Sequence, residues 1–174
     1  SASKEGVGDA DPIILNSNRN EEELRQLTIF AIPKAFTGAA AIAQRNAIIS
    51  WTKLLPRPEI ILFGTDNGTK EFARELGVKH VAQITTTEKG TPRLDTMFAH
   101  ADKIASHPVV AYVNSDIVLF QDFMEAVAAA RQQLPSFMMV GQRTDVELSD
   151  AIDFSSDEWQ GRLRNLAQRN GELH

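Results

Sequence analysis

From Leu27 onward the sequence alternates short apolar runs with longer segments of helical period, and this alternation limits the fold more than any other feature. Five runs read as strands: Leu27–Ile32 (LTIFAI), Glu59–Phe63 (EIILF), Val78–Ile84 (VKHVAQI), Val109–Val113 (VVAYV) and Phe137–Val140 (FMMV). Each of the first four is followed by a stretch long enough for a turn or helix. Repetition of that kind builds a mostly parallel sheet with helices on its faces.

The intervening segments carry helix punctuation. Gly38–Leu55 places Ile42, Ala43, Asn46, Ile49 and Lys53 at helical spacing and stops before Pro56. Asn67-Gly68 marks a tight turn, Thr69 is placed to cap the helix KEFARELG, and Gly77 is placed to end it. Thr91-Pro92 reads as an N-cap followed by proline in the first helical position, opening PRLDTMFAHADKIAS. Phe120–Leu134 reads as a further helix, and Ser155-Ser156-Asp157-Glu158 as a capping box for a last one that stops at Gly171. The expected fold class is α/β, a single Rossmann-like α/β/α sandwich of mostly parallel strands. Residues 1–26, polar at both ends, are expected to form a flexible lead, and residues 27–174 one domain.

Charge and composition exclude several roles. A formal net charge of −5 offers no basic footprint for nucleic acid or an anionic membrane surface, although a local pocket for one small anion is compatible with it. No apolar run approaches the roughly 20 residues that cross a bilayer, and the start lacks a basic end followed by an apolar stretch. The expected location is therefore cytoplasmic, with no membrane segment. Without cysteine, any metal must be held by oxygen or imidazole. The histidines at 80, 100 and 107 lack metal-ligand spacing, Ser115 lacks a G-x-S-x-G context, and neither G-x-G-x-x-G nor a Walker sequence follows the first strand.

In open α/β sheets ligands bind beyond the carboxyl ends of the strands, so polar residues there carry most weight. The fourth strand ends on Asn114-Ser115-Asp116, in the middle of an otherwise apolar run. A carboxylate left unpaired in buried surroundings there would cost several kcal/mol. Asp116 therefore either ligates a hard cation such as Mg²⁺ or turns the chain into the next element. Asp66, in GTDNG, either accepts hydrogen bonds from a base or ribose or belongs to an ordinary turn. Arg93, Lys89 and Arg45 are cations of the type that neutralises a diphosphate, and equally of the type found on any solvated face.

Five blocks, LTIFAIPKAF, EIILFGTDNGT, LDTMFAHADKIA, AYVNSDIVLF and MMVGQRTDVEL, together resemble the nucleotide-sugar-binding half of glycosyltransferases of the GT-A fold. The last two also resemble an uncharacterised glycosyltransferase-like group. The likeness spans roughly Leu27 to His174, most of it hydrophobic framework. It implies a donor such as a UDP-sugar or another nucleotide diphosphate sugar, an unknown acceptor, and weakly held Mn²⁺ or Mg²⁺. The family closes its fourth strand with an acidic D-x-D motif that touches ribose and holds the metal. Here the triplet is DXD-like: Asp116 keeps the metal-ligand position, and Asn114 replaces the first acid.

By the same resemblance Ala31, Ile32 and Pro33 would frame the base, and Asp66 would contact base or ribose. Arg93 with Asp95 would border ribose and diphosphate, Ser115 would lie within the motif, and Arg143 would lie beside the donor sugar. No catalytic base is identifiable, since the acceptor-binding half that supplies one in the family would follow His174. The resemblance leaves two functional expectations: a glycosyltransferase or its donor-binding domain, and a catalytically silent binding or assembly module. Apolar surface left by an absent half would promote self-association. A nucleotidyltransferase of related topology would need a glycine-rich basic loop after the first strand, which KAFTGAAA matches poorly.

Overall fold

A computed structural model describes residues 21–173. Its first elements are α1 (Glu21–Leu24), β1 (Thr28–Ala31), α2 (Gly38–Thr52), β2 (Glu59–Phe63), α3 (Thr69–Leu76) and β3 (Lys79–Val81). They are followed by α4 (Leu94–Ile104), β4 (Val110–Tyr112), α5 (Gln121–Gln133), β5 (Thr144–Asp145), α6 (Trp159–Asn170) and β6 (Glu172–Leu173). Four parallel strands form one sheet in the order β3-β2-β1-β4, and β5 pairs antiparallel with β6 in a separate two-stranded sheet. The expected α/β sandwich is what the chain forms.

Alternation along the strands divides the core into two layers. Leu27, Ile29, Ala31, Ile60 and Leu62 pack against Ala47, Ile48 and Trp51 of α2, Phe72 and Ala73 of α3, and Met124 and Val127 of α5. Phe30, Ile61 and Phe63 face the other way, against Met97 and Ala101 of α4. Phe30 centres an aromatic group, with Phe98 edge-on at 5.0 Å and Tyr112 tilted at 5.3 Å between ring centroids.

The sheet is locked at its amino end by one carboxylate. Glu59 accepts from the Thr28 hydroxyl (2.8 Å), the Lys79 ammonium (2.6 Å), and both the Ser106 amide (2.7 Å) and hydroxyl (2.6 Å). Those partners come from β1, β3 and the turn before β4. Burial pushes the Glu59 carboxyl up, but Lys79, then Ser106, then Thr28 outweigh it and bring it down to about 2.

Several expectations about local structure need correction. Phe137–Val140 is not a strand: Met138 and Val140 are 91% and 84% exposed, and β4 is the sheet edge. The reason is handedness. A right-handed return to a parallel position beyond β4 would put α5 on the α4 face, whereas α5 packs on the α2 and α3 face. Thr69 does not cap α3 but is its first residue, and its buried hydroxyl has no partner; Gly68 takes the N-cap position. Helix α4 starts after Arg93 because Pro92 bridges to Thr86 and is held out of it. Glu158 is the residue before α6, and no side chain caps that helix.

At α2, the buried positions are Gln44, Asn46, Ala47, Ile48, Ser50 and Trp51; of the expected set Asn46 is buried and Ile49 packs partly buried against the core, but the buried face is centred on Ala47 and rotated away from Ile42. Gly77 ends α3 as expected, at φ 65°. Part of the expected lead is packed: Leu24 is buried, Arg25 pairs with Glu125 of α5 at 2.7 Å, and the Arg131 guanidinium donates to the Glu23 and Gln26 carbonyls. The rest of that lead, and His174, lie outside the described residues.

Candidate functional site

The strand order reverses between β1 and β4. From β1 the chain moves outward through β2 to β3, then crosses back to β4 on the other side of β1. The loops leaving the carboxyl ends of β1 and β4 diverge from their common border, where such sheets place a ligand crevice. Pro33 and Lys34 leave one side of this border, and Asn114, Ser115 and Asp116 leave the other.

One buried side chain joins the two. The Gln44 amide, 3% exposed, accepts from the Lys34 N–H at 2.8 Å and donates to the Lys34 carbonyl at 2.9 Å. It thereby satisfies a backbone that has left the ladder, as a neighbouring strand would. The same Gln44 oxygen accepts the Ser115 hydroxyl at 2.7 Å. Ser115 is thus buried framework, while its neighbours Asn114 and Asp116 are exposed.

Helix α2 fixes the rest of that loop. The Trp51 indole N–H donates to the Ile117 carbonyl at 2.8 Å, and the Ser50 hydroxyl accepts the Leu119 N–H at 3.0 Å. Just beyond the helix, the Gln121 amide closes on both backbone groups of Leu55, at 2.9 and 2.6 Å. The polar interruption in the apolar run therefore marks where the chain leaves β4 and lies along α2. Asp116 does not carry the desolvation penalty that its sequence surroundings suggested, because it faces solvent. The neighbouring Tyr112 hydroxyl is raised by burial first and by the Asp116 charge second, so this carboxylate acts on the α4 side of β4.

The other expected residues divide between the crevice and elsewhere. Ala31 and Pro33 are buried and Ile32 half-buried, at and just after the carboxyl end of β1. Asp66 is exposed in the loop after β2, and that loop is tied to the one after β1 by a 2.8 Å bond from the Phe36 N–H to the Asn67 carbonyl. Gly68 makes this approach possible: it sits at φ 89°, and a Cβ there would lie 2.8 Å from the Phe36 Cβ. Arg93 and Asp95 flank the start of α4 and pair with each other at 2.6 Å on the surface. That hydrogen bond raises the Arg93 guanidinium and lowers the Asp95 carboxyl. Arg143 immediately precedes β5 and pairs with Asp145 of that strand at 2.9 Å. Arg45, on the outer side of α2, pairs with Glu75 at 2.6 Å.

Sequence reading missed Gln44, and gave Lys34 no role beyond its place at the polar end of the first strand. Their signal was a polar Gln inside GAAAIAQRNAIISW and a lysine directly after the strand-ending proline. Among the described residues no group of three or more His, Cys, Asp or Glu could hold a metal ion, and no helix is long and apolar enough to cross a membrane. A hollow of about 400 Å³ lies elsewhere, between residues 147–153 and α6, lined by Ile152, Asp153, Trp159, Arg162 and Leu163 among others. None of the expected site residues lines it. No family model matches this chain, and no curated protein or solved structure matches it.

Proposed function

We propose that the chain is a GT-A-type glycosyltransferase, or its donor-binding domain, and that it takes a nucleotide diphosphate sugar at the β1–β4 border. The observation carrying this reading is the presentation of Asn114 and Asp116 to solvent on a loop that Gln44, Ser50 and Trp51 hold rigid at the strand-order reversal. Rigid, solvated polar groups at that position suit ligand recognition better than folding.

The metal fits this donor set in one way. Asp116 alone gives too few ligands for a resident ion, but Mg²⁺ and Mn²⁺ sites accept one or two carboxylates when substrate phosphates and water complete the shell. Asp116 would hold the ion, whose chemistry is to neutralise charge growing on the leaving diphosphate. Asn114, being uncharged, would donate its amide to a ribose hydroxyl, and Asp66 would accept from base or ribose across the loop that Phe36 ties to Asn67. Arg93 would reach phosphate only by releasing Asp95, a small cost for an exposed pair.

The test is calorimetry with UDP and GDP, with and without Mn²⁺. The parent is expected to bind one of them in a metal-dependent way, and Asp116→Ala to lose at least about tenfold in affinity, or roughly 1.4 kcal/mol. Equal binding by parent and variant would overturn the assignment. The exposed Met138 and Val140 favour a second reading, a silent assembly module. That reading is supported if no nucleotide diphosphate raises the melting temperature and the mass in solution grows with concentration.

A further inference from the structure

Two of the cations expected to neutralise a diphosphate already have carboxylate partners, Arg45 with Glu75 and Arg93 with Asp95, and so does Arg143, expected beside the donor sugar, with Asp145. Lys34 differs in two respects. Among the described residues no carboxylate forms an ion pair with its ammonium, and its backbone is held on both sides, N–H and carbonyl, by buried Gln44. The side chain is exposed directly after buried Pro33. Through Gln44 and Ser115, its Cα is fixed relative to the loop that carries Asn114 and Asp116.

A flexible ammonium on a fixed root, at the border where the strand order reverses, suits a phosphate group that needs a point charge. We propose that Lys34 is the phosphate-binding cation of this crevice and that Gln44 is the positioning residue that holds it opposite Asn114-Ser115-Asp116. The inference shares with the function proposed above the premise that the crevice takes an anion. It does not require the metal, the sugar or Asp116.

The test uses inorganic pyrophosphate without metal, at low ionic strength, measured by calorimetry on the full chain. The parent is expected to bind, Lys34→Ala to bind about tenfold more weakly or worse, and Lys34→Arg to stay within about threefold, as replacing one close phosphate cation should give. Lys103→Ala, on the exposed side of α4, should not weaken this metal-free binding. Gln44→Leu should weaken it in the presence of Lys34 and change little in a Lys34→Ala background. A purely structural role for Gln44 would weaken both alike. If Gln44→Leu does not fold, Gln44→Met, closer in shape and equally unable to bond the Lys34 backbone, makes the same comparison. The proposal is overturned if the parent does not bind pyrophosphate, if Lys34→Ala equals the parent, or if Lys103→Ala loses as much. Failure of the donor reading looks different: Mn²⁺-dependent nucleotide binding unaffected by Asp116→Ala, with Lys34-dependent pyrophosphate binding intact.

Discussion

Replacing Glu59 by Gln removes one charge from the knot at the amino end of the sheet and almost preserves its shape. In the folded chain this carboxyl titrates near 2 rather than at its ordinary 4.5. At about 1.36 kcal/mol per pH unit the difference corresponds to a ceiling of roughly 3.4 kcal/mol. The Glu59 side chain is 11% exposed but its strongest partner, Lys79, is 50% exposed, so solvent screens part of the attraction. A contribution of about 2–3 kcal/mol near pH 7 is the working figure.

Because the folded value is depressed, this stability is fully present above pH 4.5 and is lost as pH falls toward 2. Urea unfolding of parent and Glu59→Gln from pH 7 to pH 3 measures it directly. Asp95, held low by Arg93, Glu125, held low by Arg25, and Asp153, held low by Ser155, cancel because both proteins carry them. The gap between the two curves should shrink by roughly half or more over that range. A gap that is constant with pH would refute the electrostatic account and assign the effect to packing, and no gap at pH 7 would refute the knot itself.

Trp51→Phe removes the bond to the Ile117 carbonyl and leaves space beside a fully buried ring, so it should cost about 2–4 kcal/mol in denaturant unfolding. The same change should speed amide exchange at Ile117 to Leu119 beyond what global destabilisation explains. Ser115→Ala should cost only about 1 kcal/mol in the same assay, since Gln44 keeps both bonds to Lys34. Gly68→Ala should lower the melting temperature more than Gly77→Ala. Both glycines have positive φ, but only the first has a neighbour, the Phe36 Cβ, within 2.8 Å of the added methyl, whereas nothing lies within 4 Å at Gly77. Equal losses would show that backbone strain alone governs both sites.

The four strands of the parallel sheet were legible because branched and aromatic residues concentrate in runs bounded by proline, glycine and polar turns. Leu27–Ile32 and Glu59–Phe63 needed no tertiary information. Phe137–Val140 has a similar composition and failed, because membership of a sheet depends on the side from which the preceding helix returns, and the composition of α5 does not encode that. The rotation of α2 was illegible for another reason. Alanine and isoleucine surround GAAAIAQRNAIISW on all sides, so the apolar pattern selects no face, and the core takes Ala47, Ile48 and Trp51. Once that phase is lost, Gln44 reads as surface, and the connection between Lys34 and Ser115 cannot be foreseen. Asp116 was singled out correctly as lying at a strand end, but its exposure follows from the turn at Ser115, which only the long-range bond to Gln44 explains.

The dependence of the Asn114–Leu119 segment on α2 also bears on its portability. Apart from one turn closed by the Ile117 N–H on the Asn114 carbonyl, this stretch is fixed by bonds to residues about 66 to 71 positions earlier and has little shape of its own to export. Moved into another parallel sheet by copying residues 114–119, it would arrive as an unstructured loop. Moved together with Gln44, Ser50 and Trp51 on a helix packed against the same face, it would arrive formed. In a redesign the heritable unit is this helix–loop pair, and drift on the exposed side of the loop is constrained mainly by what the buried side of the helix permits.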